Sequence, residues 1–101
     1  MTRGTTPTFV LTLPGNVDLT AASNVYATFR RGEVCVTKTG ADLTLTAATV
    51  SVYLNQEETL LFPAKSDVEV QLNWTYPDGG RACTEIATVR VERNLLPEVL
   101  A

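Results

Sequence analysis

Apolar and polar residues alternate at a period of two through most of this chain, and that period predicts strands. The clearest run is residues 67–76, where Val68, Val70, Leu72, Trp74 and Tyr76 alternate with Asp67, Glu69, Gln71, Asn73 and Thr75. One apolar face and one face of charge, amide and hydroxyl describe an antiparallel strand with a single buried side. Residues 8–13 repeat the pattern with Phe9, Leu11 and Leu13 on one face, between Pro7 and the turn Pro14-Gly15-Asn16. A second strand sets Val25, Ala27 and Phe29 against Tyr26, Thr28 and Arg30. Arg30-Arg31-Gly32-Glu33 then reads as a tight hairpin, because Gly32 can take the positive φ such turns require. Residues 34–38 follow with Val34 and Val36 inward and Cys35 on the other face. Residues 42–46 and 49–54 alternate in turn, with Ala47-Ala48 as a tight link. A last strand over residues 82–92 turns Ala87, Val89 and Val91 inward, but Ile86 falls on the other parity. A bulge near Glu85-Ile86 is therefore expected.

Two segments break the alternation. Residues 17–23 form a connection with room for one helical turn. In residues 55–62, Asn55 is a good N-cap and Glu58 stands three positions on, as a capping box asks. Glu57 and Glu58 suit the positive end of a helix dipole, and Pro63 ends the turn. The whole pattern predicts a single all-β domain over residues 1–101. Its expected architecture is a two-sheet antiparallel immunoglobulin-like sandwich of about seven strands with one short helical turn, and an open barrel is the rival. The Cys…Trp…Cys order of antibody domains is not met, since Trp74 stands late, shortly before Cys83.

Composition agrees. The chain has 101 residues, 45% of them apolar and 19% charged, which suits one folded domain. Sixteen are Thr, a β-branched residue at home on a pleated surface. A net charge of −3, with Arg30-Arg31 as the densest basic spot, argues against nucleic acid as a partner. Met1-Thr2-Arg3-Gly4 leads into Thr and Pro without the apolar core of a signal peptide, and no apolar run approaches membrane-helix length. The reading is a complete cytoplasmic product with no membrane partner.

The residues that could carry chemistry do not converge. There is no His, so neither a Cys–His nucleophile nor a His-containing metal site can be built, and two thiols cannot close a zinc site. Cys35 and Cys83 are expected to be reduced and buried or half-buried, with a cross-strand disulfide as the alternative. Glu57-Glu58 reads as a helix cap, since paired glycosidase carboxylates need about 5–10 Å and a cleft between them. Asp78-Gly79-Gly80 reads as a turn; it has one acid where a calcium loop needs several ligands. Lys38 and Lys65 sit in polar contexts expected to be exposed. The expectation is a protein that is not an enzyme, with no catalytic residue, cofactor, metal or small-molecule substrate.

Recognition is left. Tyr26, Tyr53, Trp74 and Tyr76 could stack on sugars if they shared a surface, although the alternation sends Trp74 and Tyr76 inward. Open sheet edges can take a strand from a neighbour. Both termini read as arms: residues 1–7 are extended and polar, whereas residues 94–101 are apolar for a free tail. Leu95, Leu96, Val99 and Leu100 either pack back on their own sandwich or dock on a partner.

The opening Arg3-Gly4-Thr5-Thr6-Pro7-Thr8-Phe9, with Leu13-Pro14 closing the strand, resembles the start of small uncharacterised structural proteins of Firmicutes prophages. So do the segment at residues 54–62, the strand Val68-Glu69-Val70-Gln71-Leu72 and the ending at residues 78–91, in the same order. More loosely, the chain is similar to the immunoglobulin-like N-terminal domain of phage baseplate upper proteins. Cys83 departs from the pattern, standing where a small or aliphatic residue is expected. The resemblance implies a non-enzymatic phage or prophage structural or accessory protein of the tail or baseplate. It would bind itself or other phage tail proteins, in the bacterial host cytoplasm during assembly and then in the virion. The alternative is a carbohydrate- or cell-surface-binding β-sandwich module.

Overall fold

The alternating segments become eight strands in two antiparallel sheets in the computed structural model of the chain, which describes residues 1–15 and 17–100. The small sheet holds β1 (Thr8–Thr12), β4 (Leu43–Leu45) and β5 (Thr49–Tyr53) in the order β1-β5-β4. The large sheet holds β2 (Asn24–Arg31), β3 (Val34–Thr39), β6 (Asp67–Thr75), β7 (Arg81–Cys83) and β8 (Ala87–Arg90). Its order is β3-β2-β6, with β7 and β8 pairing successive halves of β6. Together β7 and β8 are the single last strand expected from the sequence, interrupted at residues 84–86 where the apolar parity slips. There Thr84 keeps the ladder joined: its N–H donates to Leu72 O at 3.0 Å, and its Oγ1 accepts from Leu72 N–H at 3.1 Å.

An immunoglobulin sandwich has one sheet ordered A-B-E-D and another built on C, F and G. Here β1-β5-β4 corresponds to B-E-D, and β3-β2-β6 with β7 and β8 corresponds to C′-C-F-G. The position of strand A beside β1 is not filled by the segment that precedes it. Thr2 instead forms a parallel bridge to Glu92, beyond β8 in the other sheet.

The inward faces meet as the period of two requires. Val25, Ala27 and Phe29 of β2 and Val68, Val70, Leu72 and Trp74 of β6 are buried, facing Val50 and Val52 of β5. Phe9 and Phe29 join the two sheets with ring centroids 5.4 Å apart. Leu54 and Phe62, on either side of the helix α1 (Gln56–Leu60), are wholly buried. The capping box forms as expected: Asn55 Oδ1 accepts from Glu58 N–H, and Glu58 Oε1 accepts from Asn55 N–H, both at 2.9 Å. Gly32 takes φ +58° in the β2–β3 hairpin. The expected turn in residues 17–23 is a 3-10 turn at Leu19–Ala21 capped by Asp18. The Thr20 hydroxyl and N–H both donate to that exposed carboxyl and hold it below the usual aspartate range. Of the turn at residues 14–16, Asn16 lies outside the described residues.

Three expectations are corrected. Residues 1–7 do not stand off as an arm, because residues 1–5 are bonded to residues 59–62 and 90–92. Glu92 N–H donates to Met1 O, and Arg3 N–H donates to Glu92 O at 3.1 Å. Lys38 is not exposed: its Nζ lies 2.7 Å from Glu58 Oε2 in a mostly buried pair that ties β3 to α1. Cys35 and Cys83 are free thiols, but both are exposed where burial was expected.

Candidate functional site

The C-terminal residues are where the structure leaves the most apolar surface uncovered. Asn94 starts the tail, its side-chain amide donating to Arg3 O at 2.8 Å and its Oδ1 accepting from Leu96 N–H at 3.0 Å. Near the other end, the Gln56 side chain pairs with Leu100 as a strand neighbour would. Its Oε1 accepts from Leu100 N–H at 2.8 Å and its Nε2 donates to Leu100 O at 3.2 Å. The main chain is thus tied down at both ends, yet the side chains find only partial cover. Leu95, Leu96, Val99 and Leu100 are 86, 49, 53 and 54% exposed. Of the two outcomes open for this tail, packing back is only partial: Leu95 is almost wholly exposed, and Leu96, Val99 and Leu100 are about half covered. Four large apolar side chains exposed within six residues make the tail the candidate interaction surface.

A second surface is the outer face of the large sheet. Opposed rows place Tyr26 beside Asn73 and Thr28 beside Gln71, and Arg30 lies beside Glu69, all pointing away from the core. A shallow hollow of about 370 Å³ is lined by Tyr26, Thr28, Thr37, Asn73, Thr75 and Arg81. Arg81 Nη2 donates to Asn73 Oδ1 at 3.0 Å, so this face is already internally bonded. A roomier hollow, about 700 Å³, opens beside Pro14, Val17, Trp74, Tyr76 and Cys83. Trp74 is buried there, and its Nε1 donates to Tyr76 Oη at 2.9 Å, leaving no indole N–H for a ligand.

The aromatic residues do not assemble into a platform. Tyr26 lies on the large sheet, Tyr53 on the small one, and Trp74 is spent in the core. Glu58 is taken up by its cap and by Lys38, and Asp78 accepts from Gly80 N–H at 2.8 Å inside its turn. Among the described residues, no three of His, Cys, Asp and Glu are grouped to hold a metal ion.

The thiols sit on opposite edges of the large sheet, Cys35 on β3 and Cys83 on β7, with β2 and β6 between them. Three strand spacings alone separate them by about 14 Å. Their registers on β6, at Glu69 and Asn73, set them further apart along the strands, well beyond the ~7 Å that a disulfide can span between Cα atoms. Both are therefore expected to react with an aromatic disulfide reagent in the native protein, with the same count before and after denaturation. A second thiol that appeared only on unfolding would contradict this placement.

Arg3, Gln56 and Thr59 are the polar residues that sequence pattern did not single out, since each acts on main-chain atoms far along the chain. Compared with known protein families, with curated proteins and with solved structures, this chain finds no match in any of the three.

Proposed function

We propose that this chain is a structural or accessory protein of a phage or prophage particle, associated with its tail or baseplate, that works through contacts with other proteins. The observation that carries the reading is the tail: four large apolar side chains within residues 95–100 stay exposed although their main chain is tethered. Burying a Leu or Val side chain is worth about 1.5–3 kcal/mol, so covering half of the surface still exposed here would contribute roughly 2–4 kcal/mol to a complex. The resemblance of residues 3–9, 54–62 and 78–91 to prophage structural proteins gives the partner class. Such a protein would be made in the host cytoplasm and carried into the virion.

The test joins Leu95→Asp with Val99→Asp, two exposed positions whose change leaves the core intact. Light scattering and pulldown with the tail and baseplate proteins of the same prophage should show the wild-type chain bound. The double variant should lose at least tenfold in affinity with an unchanged melting temperature. A wild-type chain that stays monomeric and binds none of them would sink the reading.

A further inference from the structure

The outer edge of β1 is both unpaired and unguarded. Leu13 N–H donates to Ala48 O at 2.8 Å and Leu54 N–H donates to Pro7 O at 3.1 Å, and both bonds continue the β1–β5 register. Main-chain groups alternate sides along a strand, so residues 7, 9, 11 and 13 face β5. The N–H and C=O groups of Thr8, Val10 and Thr12 consequently point the other way, where they meet no hydrogen-bond partner among the described residues. This is the position that strand A takes in an A-B-E-D sheet, left open because Thr2 goes to Glu92 instead. Thr8, Val10 and Thr12 are all exposed, and a hollow of about 210 Å³ separates Val10 and Thr12 from Thr84, Glu85 and Ala87 of the other sheet.

Sheet edges in soluble proteins are usually kept from pairing by charge, proline, bulges or short length. The remaining edges of this sandwich follow that rule. β4 and β7 are three residues long, β3 carries Lys38, and β8 starts at a break and ends in Arg90. β1 has none of these devices. Its residues are Thr8-Phe9-Val10-Leu11-Thr12, and Val10 is 62% exposed. The segment is also nearly symmetric about its centre, Thr matching Thr and Phe matching Leu on either side of Val10.

We propose that two copies of this chain pair through β1, antiparallel about a two-fold axis at Val10, so that their small sheets join as one continuous sheet. Val10 then opposes the partner's Val10, and Thr8 opposes the partner's Thr12. Each opposed pair exchanges both of its main-chain hydrogen bonds, because these are the residues whose groups face outward. β-branched residues face one another across the join, which suits cross-strand packing. Phe9 and Leu11 keep facing their own core, so neither sandwich rearranges. A two-fold contact of this kind closes on itself and leaves the C-terminal tails free for a different protein. The pairing rests on the protein–protein reading above but uses a separate surface, so the two can fail separately.

Sedimentation equilibrium on the full chain over a concentration series is the test. The weight-average mass should rise from 10.9 kDa toward twice that value. Hydrogen exchange at the Val10 and Thr12 amides should slow as concentration rises. Val10→Lys opposes two ammonium groups across the axis, and Val10→Pro removes an N–H that β5 does not use; each should hold the chain as a monomer with its melting temperature kept. A wild-type monomer at every concentration overturns the proposal, even if its tail still binds another tail protein. A dimer that survives Val10→Lys but is lost in the Leu95→Asp, Val99→Asp variant overturns it too, and leaves the tail as the contact.

Discussion

Phe62→Ala is expected to cost about 3–5 kcal/mol of folding stability, the usual loss for a buried phenylalanine. Small domains are stable by only about 5–15 kcal/mol. The melting temperature should therefore fall by at least roughly 12 °C, at about 4 °C or more per kcal/mol for a domain of this size. Phe62 belongs to no strand, yet with Phe29 it is among the largest fully buried side chains, in the same cluster as Leu54, Val68 and Val91. Pro63 follows it and Arg3 binds its carbonyl, so the main chain around a truncated side chain has little freedom to collapse into the cavity. Thermal and urea unfolding of the variant would measure the loss, and a fall of less than about 1 kcal/mol would show that the ring does not plug the core.

Arg3→Ala should cost about 2–3 kcal/mol, in the range for hydrogen bonds to charged groups. The guanidinium donates from Nε to Phe62 O at 2.8 Å and from Nη2 to Leu60 O at 2.9 Å. Those carbonyls lie at and beyond the end of α1, where the helix leaves acceptors without intrahelical donors and where a positive charge is favoured. Arg3→Lys should recover only part of the loss, because an ammonium cannot fork onto two carbonyls as a planar guanidinium does. The same junction holds a buried hydroxyl. Thr59 Oγ1 accepts from Gly4 N–H and donates to Thr5 O, both at 2.9 Å. Thr59→Val leaves both main-chain groups without that partner and should cost about 1–3 kcal/mol. Since both residues hold the same segment, the double variant should lose less than the sum by at least about 0.5 kcal/mol. Strict additivity of the two losses would mean that residues 3–5 are not held as one unit.

This junction gives the opening Arg-Gly-Thr-Thr a structural reason. Gly4 sits at φ +78°, with a Leu60 methyl 3.4 Å from where a Cβ would lie. A side chain there would be strained by its backbone angle and crowded against α1. The opening motif is thus a clasp between the start of the chain and the end of the helix.

The alternation at residues 8–13, 24–31 and 67–76 was enough to place Phe29, Val70 and Leu72 inside, because side-chain direction in a strand is a local property that repeats every two residues. The capping box at Asn55 and Glu58, the hairpin at Gly32 and the break before Ala87 were legible for the same reason, each being a matter of neighbouring residues. Exposure of Cys35 and Cys83 was harder to see. Their outward parity was readable for Cys35, but their places on edge strands follow from sheet order, which alternation does not encode. Lys38 misled in the opposite direction, because its partner Glu58 comes from a helix in a distant part of the chain.

Local pattern therefore decided which residues of each strand face in, where turns fall and that the domain is all-β. The tertiary structure alone decided that the chain start closes against α1, that β1 keeps an open edge, and that the leucines of the tail are covered only in part. Those outcomes depend on groups such as Gly4 and Thr59 or Arg3 and Phe62, which are 55 and 59 positions apart. Contacts at that separation are set by how whole sheets pack, and no periodicity of one strand carries information about its neighbours' edges.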